Sequence, residues 1–103
     1  AGKLRRPIVP EGCEHNGHIY YILLPTEQAA VELRQSLRAQ GVDAVGHYKT
    51  LHDSPGAEKF GRVDGEITLA SDFYNRLVRL PLWGGMNGQE SIVIEALNEC
   101  CVR

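Results

Sequence analysis

An α+β fold, a small sheet with helices packed on it, is what this sequence predicts, and three stretches carry the prediction. Residues 18–24 read His-Ile-Tyr-Tyr-Ile-Leu-Leu, a β-branched and aromatic run of strand length. Residues 27–40 follow with Ala30, Leu33 and Leu37 at helical spacing and Gly41 as a left-handed stop. Near the chain end, Asn87 and Glu90 stand in capping-box positions ahead of an apolar stripe of Val93, Ala96, Leu97 and Cys100. Strand-forming and helix-forming stretches that alternate in this way pack as a sheet covered by helices.

The 103 residues predict one domain, 1–103, with a modest single core. Eleven Lys and Arg against thirteen Asp and Glu leave a formal charge of -2, so no basic excess points to nucleic acid or to an anionic membrane. Three cysteines, two of them adjacent as Cys100 and Cys101, form neither a disulfide framework nor a paired zinc spacing, and a reducing, cytoplasmic setting is expected. No apolar run approaches the ~20 residues that span a bilayer. Lys3, Arg5 and Arg6 are not followed by the apolar stretch of a signal peptide. A start at Ala1 rather than Met leads to the expectation of a longer parent product.

In chain order, residues 1–16 hold Pro7, Pro10 and Gly12 and predict an irregular lead-in with at most a short extended piece at Ile8 and Val9. In the 18–24 strand both alternate sets, Ile19, Tyr21, Leu23 and Tyr20, Ile22, Leu24, are apolar, so cover on both faces is expected. Pro25 ends the strand, and Thr26 caps the helix that Glu27 opens with negative charge. Arg34 and Arg38 lie toward the end where the dipole favours positive charge. Residues 42–48 predict a second strand, and residues 52–65, with Pro55, Gly56, Gly61 and Gly65, a long loop with about one helical turn. A helix over 68–77 carries Leu69, Phe73 and Leu77 on one face. A short strand over 78–82 follows, which Pro81 confines to an edge or a strand end. The predicted order is β-α-β-loop-α-β-α.

Residues 41–55 hold the densest chemistry. His47 and Tyr48 are the leading site candidates; on a continuing strand they would point to opposite faces, so only a strand ending there lets both line one pocket. Two readings stand: they hydrogen-bond a ligand, or Tyr48 packs in the sheet while His47 caps the strand. His47 and His52, joined by Asp53 or Cys13, lack the tight paired spacing of zinc sites, and no metal is expected. His52 is expected to fix its loop by hydrogen bonding, and His18 to be a satisfied histidine at the head of a buried strand. Arg76 and Arg79 are either carboxylate-gripping forks or surface charges. Cys100 is expected to behave as a small hydrophobe. Trp83 and Met86 suggest an apolar edge that docks on a larger body, whose removal would favour self-association.

Taken together, His18-Ile19-Tyr20-Tyr21-Ile22, Gly41-Val42, His47-Tyr48, Leu51-His52, Ser54-Pro55, Phe60-Gly61, Gly65 and Arg76-Leu77-Val78-Arg79-Leu80-Pro81-Leu82 resemble, in order and spacing, one known domain. It is the C-terminal domain of the DegT/DnrJ/EryC1/StrS sugar-nucleotide aminotransferases, and the resemblance runs over residues 10–97. It implies the C-terminal small domain of the aspartate-aminotransferase fold, pyridoxal phosphate type I. The parent enzyme it implies is a homodimer that uses pyridoxal phosphate to move an amino group from glutamate to the 4-keto carbon of a dTDP-4-keto-6-deoxy-hexose. The sugars concerned are those of lipopolysaccharide and common antigen. The resemblance places His47 and Tyr48 on the substrate side of the cleft.

Such chemistry needs an amine-bearing lysine, an acid at the pyridine nitrogen and a phosphate-binding set, which the family carries in its large domain. Lys3, Lys49 and Lys59 do not fall where the family has its Schiff-base lysine. No catalytic or cofactor-binding residue is therefore expected within these residues, which are expected to be inactive without a large cofactor-binding domain as partner. The alternative is a stand-alone binding or interaction module on the same fold. A small independent enzyme using His47 and His52 lacks a recognisable nucleophile, base and orienting group.

Overall fold

The computed structural model describes residues 4–102. Two short strands, β1 (Tyr20–Leu23) and β2 (Leu77–Leu80), pair antiparallel, with Tyr20 opposite Leu80 and Leu23 opposite Leu77. Around them lie helices α1 (Glu27–Ala39), α2 (Pro55–Phe60), α3 (Thr68–Arg76) and α4 (Glu90–Val102), with a 3₁₀ turn at Leu51–Asp53. This is the expected α+β class.

Both outer edges of the strand pair are extended by single-residue bridges. Arg5 exchanges backbone hydrogen bonds of 2.8 and 2.9 Å with Leu23, and Val45 exchanges bonds of 3.1 and 2.7 Å with Arg79. The extended piece of the lead-in is thus at Arg5, while Ile8 and Val9 stand exposed. The strand expected over 42–48 contracts to the bridge at Val45. Its first residues turn elsewhere: the Val42 N–H bonds the Leu37 carbonyl at 2.9 Å and the Ala44 N–H bonds the Val42 carbonyl at 3.1 Å. Val42 and Ala44 are buried under α1 as a wrapped helix exit rather than as a ladder.

Helix α1 forms as its sequence dictates. The Thr26 hydroxyl accepts from the Ala29 N–H at 3.1 Å, and Gly41 takes a φ of 79° just past the C-cap, where a side chain would be strained. Ala30, Leu33 and Leu37 turn inward onto Ile22, Leu24, Val78 and Leu80, and Ala96 of α4 closes the same core. The other face of β1 meets α3, where Phe73 stands edge-on to Tyr21 with centroids 5.8 Å apart. Leu77 lies in β2 rather than at the end of α3, and Leu69 is exposed, so α3 docks by less of its apolar face than its spacing predicts.

Helix α4 has a broad apolar face, with Ser91, Glu95, Asn98 and Glu99 exposed on the opposite side. Val93, Leu97 and Cys100 lean on the core, while Ile92 and Ile94 flank them at 56% and 57% exposure. Met86 is buried beneath the turn that precedes the helix, and Trp83 is left outside. The expected Trp83 and Met86 edge therefore splits into a core residue and a surface residue.

Candidate functional site

Past the Val45 bridge the chain leaves the sheet, and the two leading candidates follow at once. The rings of His47 and Tyr48 stack with centroids 4.8 Å apart and planes 9° from parallel, so they form one aromatic slab instead of facing opposite ways. Tyr48 is 74% exposed, which rules out packing within the sheet. Its hydroxyl accepts a hydrogen bond from Arg79 Nη1 at 3.2 Å, and the same guanidinium lies 5.7 Å from the ring centroid. Arg79 thereby carries the slab from β2, whose backbone also holds Val45.

His52, Asp53, Thr50 and Ser71 assemble beside it. His52 Nε2 lies 2.8 Å from Ser71 Oγ and 3.3 Å from Asp53 Oδ2, and the Ser71 hydroxyl donates to the same Asp53 oxygen at 3.1 Å. The Thr50 hydroxyl also donates to Asp53. A serine, a histidine and an aspartate in contact invite comparison with a nucleophilic triad. Here, however, the hydroxyl and the carboxylate meet one ring nitrogen, whereas proton relay requires the acid on one nitrogen and the nucleophile on the other. The cluster is a clasp that ties the 3₁₀ turn to α3, the loop-fixing role expected of His52. The Thr50 hydrogen bond holds the Asp53 carboxyl below the ordinary carboxylate range, helped by Ser71 and by the His52 and Lys49 charges, against the opposing effect of desolvation.

Between the second half of α1 and the 44–47 segment lies a cleft of about 300 Å³, lined among others by Arg34, Gln35, Arg38, Gly46 and His47. Arg34 is half-buried and donates from Nη1 to the Leu77 carbonyl at 3.2 Å. Arg38 reaches Asp43 at 3.5 Å, with both side chains largely exposed. Two apolar clefts flank α4. One of about 510 Å³ runs along Val42, Pro81, Trp83, Met86 and Ile92, and one of about 430 Å³ along Leu4, Tyr20, Leu82, Ile94 and Leu97.

The remaining candidates have structural employment. Arg76 grips the Asp72 carboxylate through Nε and Nη2, the shortest contact being 2.7 Å, and donates from Nη1 to the Leu24 carbonyl at 3.1 Å. It is a fork on a carboxylate, but on one from its own helix. His15 and His18 are exposed and serve the turn between them: His15 Nδ1 accepts from the Gly17 N–H at 2.8 Å, and His18 Nδ1 bonds the Asn16 side chain. The strand begins only at Tyr20, so His18 stands exposed ahead of it, while its hydrogen bonds to Asn16 make it the satisfied structural histidine expected. Cys100, half-buried, accepts from the Gln40 amide at 3.3 Å. Among the described residues no group of three or more His, Cys, Asp or Glu is placed to hold a metal.

Lys49 and Lys59 are both exposed, the Lys59 ammonium lying 5.1 Å from the centroid of Phe60, while Lys3 lies outside the described residues. No lysine lines any of the clefts described above. Sequence reasoning missed Ser71 and Thr50 as partners of His52 and Asp53, since Ser71 stands 18 and 19 residues away with no motif joining it. It also gave Arg34 only a dipole role; the signal was its i, i+4 spacing from Arg38, which places both on one face. Against these features, a family model described as the DegT/DnrJ/EryC1/StrS aminotransferase family matches residues 2–98 of the chain.

Proposed function

The chain belongs to the DegT/DnrJ/EryC1/StrS aminotransferase family, and from that premise we propose that it is the C-terminal part of a sugar-nucleotide transaminase whose cofactor is held by a separate, larger domain. The family is one of pyridoxal-phosphate-dependent sugar aminotransferases. The reaction proposed is transfer of an amino group from glutamate to the 4-keto carbon of a dTDP-4-keto-6-deoxy-hexose. The finer assignment, to the dTDP-4-amino-4,6-dideoxygalactose transaminases of cytoplasmic lipopolysaccharide and common-antigen sugar synthesis, rests on the His-Tyr-x-x-Leu-His and Arg-Leu-x-Arg-Leu-Pro-Leu arrangements.

The described residues do not fit the cofactor. A pyridoxal phosphate site needs a lysine amine in a desolvated cavity, and Lys49 and Lys59 lie exposed on the surface. No step of the reaction is therefore assigned to these residues. What they offer is a surface. The observation that carries the reading is the His47 and Tyr48 slab, held out from the sheet edge by Arg79 and rich in hydrogen-bonding groups suited to a sugar hydroxyl or a ring nitrogen. In the homodimeric enzyme proposed, His47 and Tyr48 face the sugar nucleotide.

A second reading, a stand-alone non-catalytic binding module, is favoured by the same two exposed lysines together with open clefts on both sides of α4. An isotope experiment separates the two. The gene product carrying this segment is incubated with a dTDP-4-keto-6-deoxy-hexose and nitrogen-labelled glutamate, and the sugar is examined by mass spectrometry. Label in the sugar is expected. An unlabelled sugar with every component present would leave only the binding module.

A further inference from the structure

The cleft between α1 and the 44–47 segment has a charge pattern that the substrate-facing slab does not account for. Arg34 is half-buried, yet its only hydrogen bond among the described residues is to the Leu77 carbonyl, which leaves the rest of its guanidinium fork without an acceptor. It also has no carboxylate partner among the described residues. Arg76 makes the contrast plain: it has the same kind of carbonyl contact, to Leu24, and a two-point fork on Asp72 as well. The unpartnered nitrogens of Arg34 are not sealed in the interior, so they stay open to an acceptor that enters the cleft.

The rest of the lining points the same way. Arg38 follows Arg34 by one helical turn, His47 closes the other wall, and no Asp or Glu lines the cleft. Arg38 and Asp43 meet at 3.5 Å with both side chains largely in solvent, so that pair competes weakly for the guanidinium. Gly46 lies where a Cβ would come within 3.4 Å of Arg34 Nη1, so the absence of a side chain keeps the guanidinium accessible along the backbone. About 300 Å³ gives room for a phosphate group and part of what it esterifies.

We propose that this cleft is an oxyanion site in which Arg34, with Arg38 and His47, holds a phosphate group. Arg34 supplies the planar fork that matches two phosphate oxygens, and Arg38 supplies a second, solvent-facing charge that draws the anion in. The site shares His47 with the surface assigned to the sugar nucleotide, so in identifying the esterified group it rests on that reading. The phosphate itself does not depend on it. Free phosphate and the diphosphate of a nucleotide sugar present the same chemistry.

The test is a titration of the labelled 103-residue chain with inorganic pyrophosphate, and separately with dTDP, at about 0.15 M salt, followed by amide and arginine side-chain NMR shifts. Saturable shifts centred on Arg34, Gly46 and His47 are expected, weakening as salt rises. Tighter binding of dTDP than of pyrophosphate identifies a nucleotide as the source; equal binding identifies phosphate alone, and the oxyanion site stands in either case. Arg34→Gln is expected to weaken binding about tenfold or more. Because Arg34 also supports Leu77, Arg38→Gln, which leaves that hydrogen bond in place, is run beside it and should weaken binding severalfold with a shallower salt dependence. Shifts that are absent, centred elsewhere, or unchanged in Arg38→Gln overturn the proposal. Isotope transfer by the parent enzyme is a separate readout, so either idea can fail without the other.

Discussion

Arg76 and Asp72 form a fork one turn apart on α3, with Nη2 and Oδ2 2.7 Å apart, and the remaining terminal nitrogen of Arg76 reaches the Leu24 carbonyl just past β1. One side chain thus fixes the end of a helix to the end of a strand 52 residues earlier. The Arg76 carbonyl in turn accepts the Leu24 N–H at 2.9 Å. Arg76→Lys keeps the charge but loses the fork geometry, and Arg76→Ala loses both. The alanine variant is expected to cost about 1–2 kcal/mol, a charged hydrogen bond discounted for partial exposure, and lysine to recover less than half. Urea midpoints with unchanged m-values give the comparison.

The centre of the fold is more demanding. Leu37 is fully buried between α1 and the strands, in a cluster with Ile22 and Val78. Leu37→Ala should lower stability by about 3 kcal/mol through lost transfer energy and the cavity left behind. A thermal or chemical unfolding curve measures it.

The clasp at Asp53 predicts a pH dependence with a definite sign. Its folded-state pKa is depressed, first by the Thr50 hydrogen bond. The clasp therefore stabilises the 50–60 segment fully above the ordinary carboxylate value of about pH 4. That contribution declines as pH falls below about 4 and is lost once the pH passes the depressed folded value. Amide exchange in residues 50–60 should accelerate over this acid window relative to α1, and Asp53→Asn should remove the difference. An acid response in the Asn variant equal to that of the parent would count against the clasp.

Open apolar surface on both sides of α4 predicts self-association of the isolated chain. Ile92→Lys with Ile94→Lys should reduce concentration-dependent association in sedimentation, at little cost in stability, because both side chains are more than half exposed. An unfolded double variant would show instead that these residues belong to the core.

Much of this architecture was legible from local pattern. Thr26, the Ala30, Leu33 and Leu37 stripe and Gly41 place α1 almost to the residue, since cap, face and stop all act within one helix. The run over 18–24 gave β1, shortened at its start by the His18 and Asn16 turn. The stretch over 42–48 misled because burial was mistaken for pairing: Val42 and Ala44 are apolar for contact with α1, and their backbone groups are satisfied by the helix exit and a tight turn. At the site, His47 and Tyr48 were visible as residue types, but the expectation that they diverge assumed a continuing strand. The Ser71 contact and the uncompensated charge of Arg34 depend on what folding brings near, and no spacing along the chain encodes either.

The proposal that the chain presents a substrate-facing surface of an aminotransferase and leaves the cofactor to a separate domain can be checked by absorbance. The purified chain is scanned after adding pyridoxal phosphate and again after adding glutamate. Only the weak, non-stoichiometric spectrum of a free aldehyde meeting exposed lysines is expected, reduced in a Lys49→Arg and Lys59→Arg double variant in step with the amines removed. A one-to-one lysine-bound cofactor band that glutamate converts would contradict it.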